Sequence, residues 1–377
     1  MDLEPTLMVL QCQDRNDFDS WESRYSLLLW LSMLCLVPFD IYTIDSTVGA
    51  AGSLSAPPAS PGGTSGGSQP LVGQIITICK DYLKDSGPTR DAAAVCLSSL
   101  LTRPDMEKSY LAQFLSWSGE LLASPDVFGT NHGTFLATGV LMTLTAIFKK
   151  GERGKLLSVN NLIFPSILEM ARQVRRGPTP PRHPATLPLP PSPPRRHHLT
   201  PQNASSTLLR KLLVKLFQRI GLVFMPPRVV SWAYQRGQRS LLQNMGADDN
   251  ATAGDAAIAS GMGEPGAGKE DEDDIEVPEE LEDVIEQLLV GLRDRDTVVR
   301  WSAAKGIGRI TSRLPRDLAD DVVASVLELF SDSEGDGAWH GGCLALAELA
   351  RRGLLLPERL PEVGYDYDYD YDYDYDS

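Results

Sequence analysis

The stretch that decides the fold runs from Pro278 to Leu356, PEELEDVIEQLLVGLRDRDTVVRWSAAKGIGRITSRLPRDLADDVVASVLELFSDSEGDGAWHGGCLALAELARRGLLL. It reads as two matched pairs of helices. The first pair carries Leu281, Val284, Ile285, Leu288, Leu289 and Leu292, breaks at Asp294-Arg295-Asp296, and resumes from Thr297 to Ile310. The second opens at Pro315, carries Leu318, Val322, Val323, Val326, Leu327 and Phe330, breaks over Asp332 to Gly337, and resumes from Ala338 to Arg352. Asp296 and Asp336 stand 40 residues apart. A period near 40 with two helices per unit is the pattern of HEAT and armadillo solenoids. The predicted fold class is therefore all-α, a helical solenoid interrupted by disordered inserts.

At the 40-residue offset Val299 falls on Trp339, Arg300 on His340, Ala303 on Cys343 and Ile307 on Ala347. Val299, Ala303, Ile307, Trp339, Cys343 and Ala347 are thus the expected repeat core. Small residues such as Ala304, Gly306 and Gly308 suit helices whose backbones approach closely, because a two-helix unit buries its apolar stripe only against its neighbours. At 100° per residue Lys305 and Arg309 fall opposite that stripe, and Trp301 falls with them. An apolar ring on a cationic helix face fits a docking surface, so Trp301, Lys305 and Arg309 are the partner-binding candidates.

Outward from this block the chain divides by composition. Residues 1–45 form a helical segment in which 20–40, expected to be capped by Ser20, has almost no polar face and is expected to be buried. Residues 46–70 are a Gly/Ser/Pro linker, and residues 71–176 hold helical repeats: a pair over 71–83 and 91–101, then stretches over 107–123, 133–150 and 160–176. Residues 177–201 contain ten prolines and the basic pair Arg195-Arg196, a composition that excludes helix and favours an extended left-handed form. Its Pro191-Ser192-Pro193-Pro194-Arg195-Arg196 matches an SH3-ligand pattern that any Pro/Arg-rich tract produces. A further segment, 202–245, opens on an amphipathic helix capped at Ser206. Residues 246–277 are an acidic linker, 278–356 the two repeats above, and 357–377 a low-complexity tail of Tyr-Asp repeats.

The net charge of -15 is not a global property. Residues 246–290 hold 15 acids against Lys269 and the tail adds six Asp, so the remainder carries about +5. Residues 149–245 carry 17 Lys or Arg against Glu152 and Glu169. Segregated charge of this kind suits a partner of opposite sign at one place. The five cysteines are scattered, with no C-x-x-C pair, which fits a reducing compartment and small buried hydrophobes. No secretory signal is expected from Met1-Asp2-Leu3-Glu4, and the apolar run Leu27 to Val37 is too short to span a bilayer.

Chemistry-bearing motifs are weak. Gly263 through Lys269 approaches a phosphate-binding loop, but Glu270 stands where Ser or Thr would hold magnesium, and no strand precedes it. His132 and His340 are isolated from other metal ligands. No nucleophile motif is present, so a non-catalytic chain with no catalytic, metal or cofactor-binding residues is expected.

The stretch Asp296 to Arg309 resembles the tubulin-folding cofactor D family. So do Ala338 to Leu349, Trp21 to Tyr25 with Leu27 to Leu31 and Pro38-Phe39-Asp40, Arg90 to Val95, and Leu208 to Lys211 through Gln235-Arg236-Gly237. The resemblance covers a minority of the family's length, from its amino-terminal half. The Pro-rich insert and the Tyr-Asp tail depart from it. It implies a chaperone scaffold that binds β-tubulin, works with other tubulin-folding cofactors and a small Arf-like GTPase in α/β-tubulin dimer assembly, and stimulates tubulin GTP hydrolysis only within that assembly. It further implies a cytoplasmic, cytoskeleton-associated location, with centrosome and cell junctions as further sites. The competing reading from composition is a HEAT-repeat nucleic-acid-binding or transport adaptor.

Overall fold

The computed structural model describes residues 2–45, 70–124, 127, 130–176, 201–227 and 277–355. The linkers expected at 46–70, 177–201 and 246–277 and the tail at 357–377 lie, apart from edge residues, outside these, as do the phosphate-loop-like stretch and Gln235-Arg236-Gly237. Among the described residues the chain is helical and contains no strand. It divides into two compact units, Met1–Val223 and Phe224–Ser377.

The first unit contains α1 Leu3–Gln11, α2 Trp21–Leu34, α3 Leu71–Tyr82, α4 Pro88–Leu101, α5 Ala112–Ala123, α6 Asn131–Lys150, α7 Arg153–Val159, α8 Phe164–Arg176 and nearly all of α9 Pro201–Phe224. Local chemistry sets the ends. Pro88 begins α4, where a missing N–H costs nothing, and the Thr130 hydroxyl accepts from the Gly133 N–H at 3.0 Å to cap α6. The 107–123 stretch opens with a π-helical turn, Glu107–Leu111, before α5. Helix α9 starts at Pro201, so Ser206 is inside the helix rather than its cap. Ser20 precedes α2, but its hydroxyl accepts from Arg24 instead of capping the helix.

Packing follows the solenoid rule. The members of each pair pack together, α1 on α2 and α3 on α4, and the second helices then stack in a row, α2 on α4 and α4 on α6. The buried stripe of α2 is Leu28, Leu31 and Ser32, joined by Arg24 and followed by Cys35. The expectation that 20–40 is buried all round is corrected: Trp30, Met33, Leu36 and Phe39 are exposed. A helix in a single row buries only the flanks its neighbours touch, whatever its composition. Arg103 fastens the turn after α2, donating to the carbonyls of Cys35 and Val37 at 2.7 Å and of Phe39 at 2.6 Å.

The row also gathers three cysteines that the sequence scatters. Cys35, Cys79 on α3 and Cys96 on α4 are fully buried. Hydrogen bonding to Cys96 and then burial hold the Cys35 thiol well above the ordinary range. Cys96 is also raised: the Cys35 bond alone would lower it, but its bond to Cys79 and burial outweigh that.

The second unit holds α10 Glu280–Leu292, α11 Thr297–Thr311, α12 Arg316–Leu327 and α13 Asp336–Arg351. Again the pairs pack, α10 on α11 and α12 on α13, and the second helices stack, α11 on α13. Val299, Ala303 and Ile307 are buried in this contact layer. Gly341 of α13 lies so close to α10 that a Cβ there would meet the Leu292 carbonyl oxygen at 2.0 Å.

Trp339, Cys343 and Ala347 are not core: all three are exposed, Trp339 by 43%. The buried positions of α13 are Ala338, Gly341, Gly342, Ala345 and Leu349. The cause is register. The residue capping α11 is Asp296 and the one capping α13 is Gly335, 39 residues apart, so the aspartates at 296 and 336 are not equivalent. At that offset Val299 corresponds to Ala338, Ala303 to Gly342 and Ile310 to Leu349, all buried. A one-residue slip turns a helix by 100°, enough to carry an expected core stripe onto the solvent side.

Candidate partner-binding surface

A buried arginine marks the fourth position of two second helices. On α2, Arg24 donates to the Asp14 carbonyl at 2.7 Å. On α11, Arg300 donates to the carbonyls of Asp294 and Arg295, at 2.7 and 3.0 Å, and to the Thr297 hydroxyl at 2.9 Å. Each guanidinium thus closes the turn that leads into its own helix, a task suited to its fixed fork of donors. On α13 the fourth position is Trp339, whose indole N–H donates to the Ser331 carbonyl at 3.3 Å while its ring lies 6.5 Å from that of Phe330. It bonds the turn before its own helix from the position that Arg300 occupies on α11.

With the turns secured and the inner stripe of α11 buried, one face of α11 is left to solvent. Along it run Val298, Trp301, Lys305 and Arg309, at the three- and four-residue spacing of a single helical stripe. Trp301 is 51% exposed, and the Lys305 ammonium sits 3.4 Å from the centre of its ring. This cation–π contact holds the indole against the helix. Neither Lys305 nor Arg309 forms an ion pair among the described residues. The three candidates read from the sequence therefore stand on one exposed face, an anchored tryptophan followed by two cations with unspent charge.

The sequence reading did not anticipate Val298 as the fourth member, the Arg300 fork or the Trp339 substitution for it. The arginine signal was available: Arg24 and Arg300 stand three residues after the first residue of their helices. Among the described residues no group of three His, Cys, Asp or Glu side chains is arranged to hold a metal, and no helix is long and apolar enough to cross a membrane.

Comparison with known proteins places this architecture. A family described as "Tubulin-specific chaperone D-like, ARM repeat" matches residues 1–122, and its companion, "Tubulin-specific chaperone D-like, ARM repeats", matches residues 208–369. The latter contains the whole α10–α13 block. The chain is 33% identical to the tubulin-specific chaperone D of Dictyostelium discoideum, over 91% of this chain and 22% of that protein. It is 26% identical to the tubulin-folding cofactor D of Schizosaccharomyces pombe, over 89% of this chain and 25% of that protein. The chain thus spans about a quarter of the length of these curated relatives. No solved structure matches it. Two matching profiles and two relatives agree on one lineage, and the chain belongs to the tubulin-specific chaperone D-like family of ARM-repeat proteins.

Proposed function

We propose that this chain is a repeat segment of a tubulin-folding cofactor that contacts β-tubulin through the outer face of α11 and performs no chemistry of its own. The observation that carries the reading is the Trp301, Lys305 and Arg309 stripe: a restrained aromatic anchor flanked by unpaired cations, on a rigid helix of a chain whose relatives are named for tubulin folding. Interface hot spots are enriched in such tryptophans and arginines. Unpaired cations at the rim of an anchor steer an acidic partner into register.

In this reading the segment acts in the cytoplasm, beside the cytoskeleton, within an assembly containing other tubulin-folding cofactors and a small Arf-like GTPase. Stimulation of tubulin GTP hydrolysis belongs to that assembly, and centrosomal or junctional placement follows the same partners. The test is co-purification of β-tubulin from cell extract on the immobilised full chain, beside a Trp301→Ala, Lys305→Glu double variant. Retention by the wild-type chain and loss by the variant supports the assignment; equal retention by both moves the contact elsewhere. Capture of RNA instead, lost steeply with salt, would support the nucleic-acid adaptor.

A further inference from the structure

A second site lies in the first unit, between the first helices of consecutive pairs. A cleft of about 160 Å³ opens between α3 and the start of α5, lined by Ile76, Thr77 and Lys80 from one side and Tyr110, Gln113 and Phe114 from the other. The Lys80 ammonium stands 3.9 Å from the centre of the Trp117 ring and 5.7 Å from that of Phe114. Ring faces attract a cation but accept none of its N–H donors as a carboxylate would. Among the described residues Lys80 has no ion pair and no hydrogen-bond acceptor. The acids of α3 and α5 are engaged elsewhere: Asp81 accepts from Lys84 at 2.8 Å, and Glu120 faces the Ser116 hydroxyl. The chain therefore holds a half-buried ammonium against two aromatic rings, with its donors free and a small polar-mouthed cleft beside it.

We propose that this cleft receives one carboxylate side chain of an acidic segment on a partner protein. Lys80 takes the charge, the exposed Gln113 amide offers a further donor, and Ile76 packs against the methylenes. The volume decides the size of the guest, since small-molecule and cofactor pockets take about 300–1,000 Å³ and this cleft has room for a single side chain. The charge decides its kind. A single ammonium is a monovalent point charge that one carboxylate neutralises; a lysine holds phosphate in the same way, and the competition between acetate and phosphate below tells the two apart. The site is independent of the α11 surface, so the two readings fail separately.

The test is fluorescence polarisation on the full chain with a labelled, amidated hexaglutamate peptide, comparing wild type with Lys80→Met, Lys80→Arg and Gln113→Leu. Lys80→Met should weaken the peptide by about tenfold or more and Lys80→Arg by no more than about threefold, as expected for loss and retention of a charged donor. Acetate should displace the peptide more readily than inorganic phosphate at equal concentration. Unchanged affinity in Lys80→Met overturns the proposal, and preferential displacement by phosphate replaces it with a general anion site. Should Lys80→Met fail to fold, Gln113→Leu alters only an exposed side chain, and an affinity equal to wild type there has the same force.

Discussion

The Nε of Arg300 on α11 donates to the Nδ1 of His340 on α13 at 3.1 Å, joining two second helices across the repeat boundary, and the same guanidinium closes the turn before α11. One side chain therefore couples a turn to its neighbouring repeat. Arg300→Ala removes a buried donor from two turn carbonyls and an imidazole nitrogen and should destabilise the second unit by about 2–4 kcal/mol. Arg300→Lys, which cannot reproduce the fork, should recover less than half of that loss. Chemical denaturation of the three proteins measures it, and equal midpoints would refute the coupling.

Trp301 and Trp339 separate binding from stability. Trp301→Ala removes an exposed ring and one cation–π contact, costing about 1 kcal/mol or less of stability, while weakening β-tubulin retention by about 2 kcal/mol or more if the proposed surface is used. Trp339→Ala loses a partly exposed ring pair and one hydrogen bond and should cost about 1–2 kcal/mol, well short of the loss for a core tryptophan. A larger stability loss at 301 than at 339 would contradict the observed register.

Close approach makes Gly341 irreplaceable. An added methyl meets a backbone oxygen, which cannot step aside, so Gly341→Ala should cost about 3 kcal/mol or more. Gly154, inside α7 with nothing within 4 Å of its absent Cβ, is the control. There Gly→Ala should stabilise by about 0.5–1 kcal/mol. Thermal melts of the pair should shift in opposite directions.

The cysteines should divide by accessibility. Cys12 and Cys343 are exposed whereas Cys35, Cys79 and Cys96 are buried, and the raised Cys35 and Cys96 thiols hold little reactive thiolate. Ellman's reagent on the folded chain should therefore titrate two thiols quickly and the remaining three only on unfolding. Rapid reaction of all five would mean the α2–α4 row opens readily in solution.

Burial lowers the Lys80 ammonium below its ordinary pKa of 10.5. The unfolded chain then holds this proton more tightly than the folded one, so stability tied to Lys80 rises as pH climbs through the window between the lowered value and 10.5. Below that window the penalty of burying the charge is fully present. The melting temperature of wild type relative to Lys80→Met should accordingly increase between neutral pH and pH 10.5, and a difference that stays flat would show Lys80 to be freely solvated.

The apolar spacing at Leu281, Val284, Leu288 and Leu292 and the turn at Asp294-Arg295-Asp296 were enough to determine helices and their pairing, because periodicity and helix-breaking residues act within a few positions. The same local logic placed Trp301, Lys305 and Arg309 on one exposed face: a face of α11 depends only on angles within α11. What the sequence misjudged depended on distance. The offset between repeats is 39 residues and not 40, which is decided by where each helix starts, and that displaced Trp339, Cys343 and Ala347 from the core. The exposed side of α2 is as apolar as its buried side, and only its neighbours in the row decide which is which. Likewise the meeting of Cys35, Cys79 and Cys96, and of Lys80 with Trp117, follows from how successive pairs stack. Spacing along the chain carries helix phase; contact between helices far apart in sequence is set by the packing of the row.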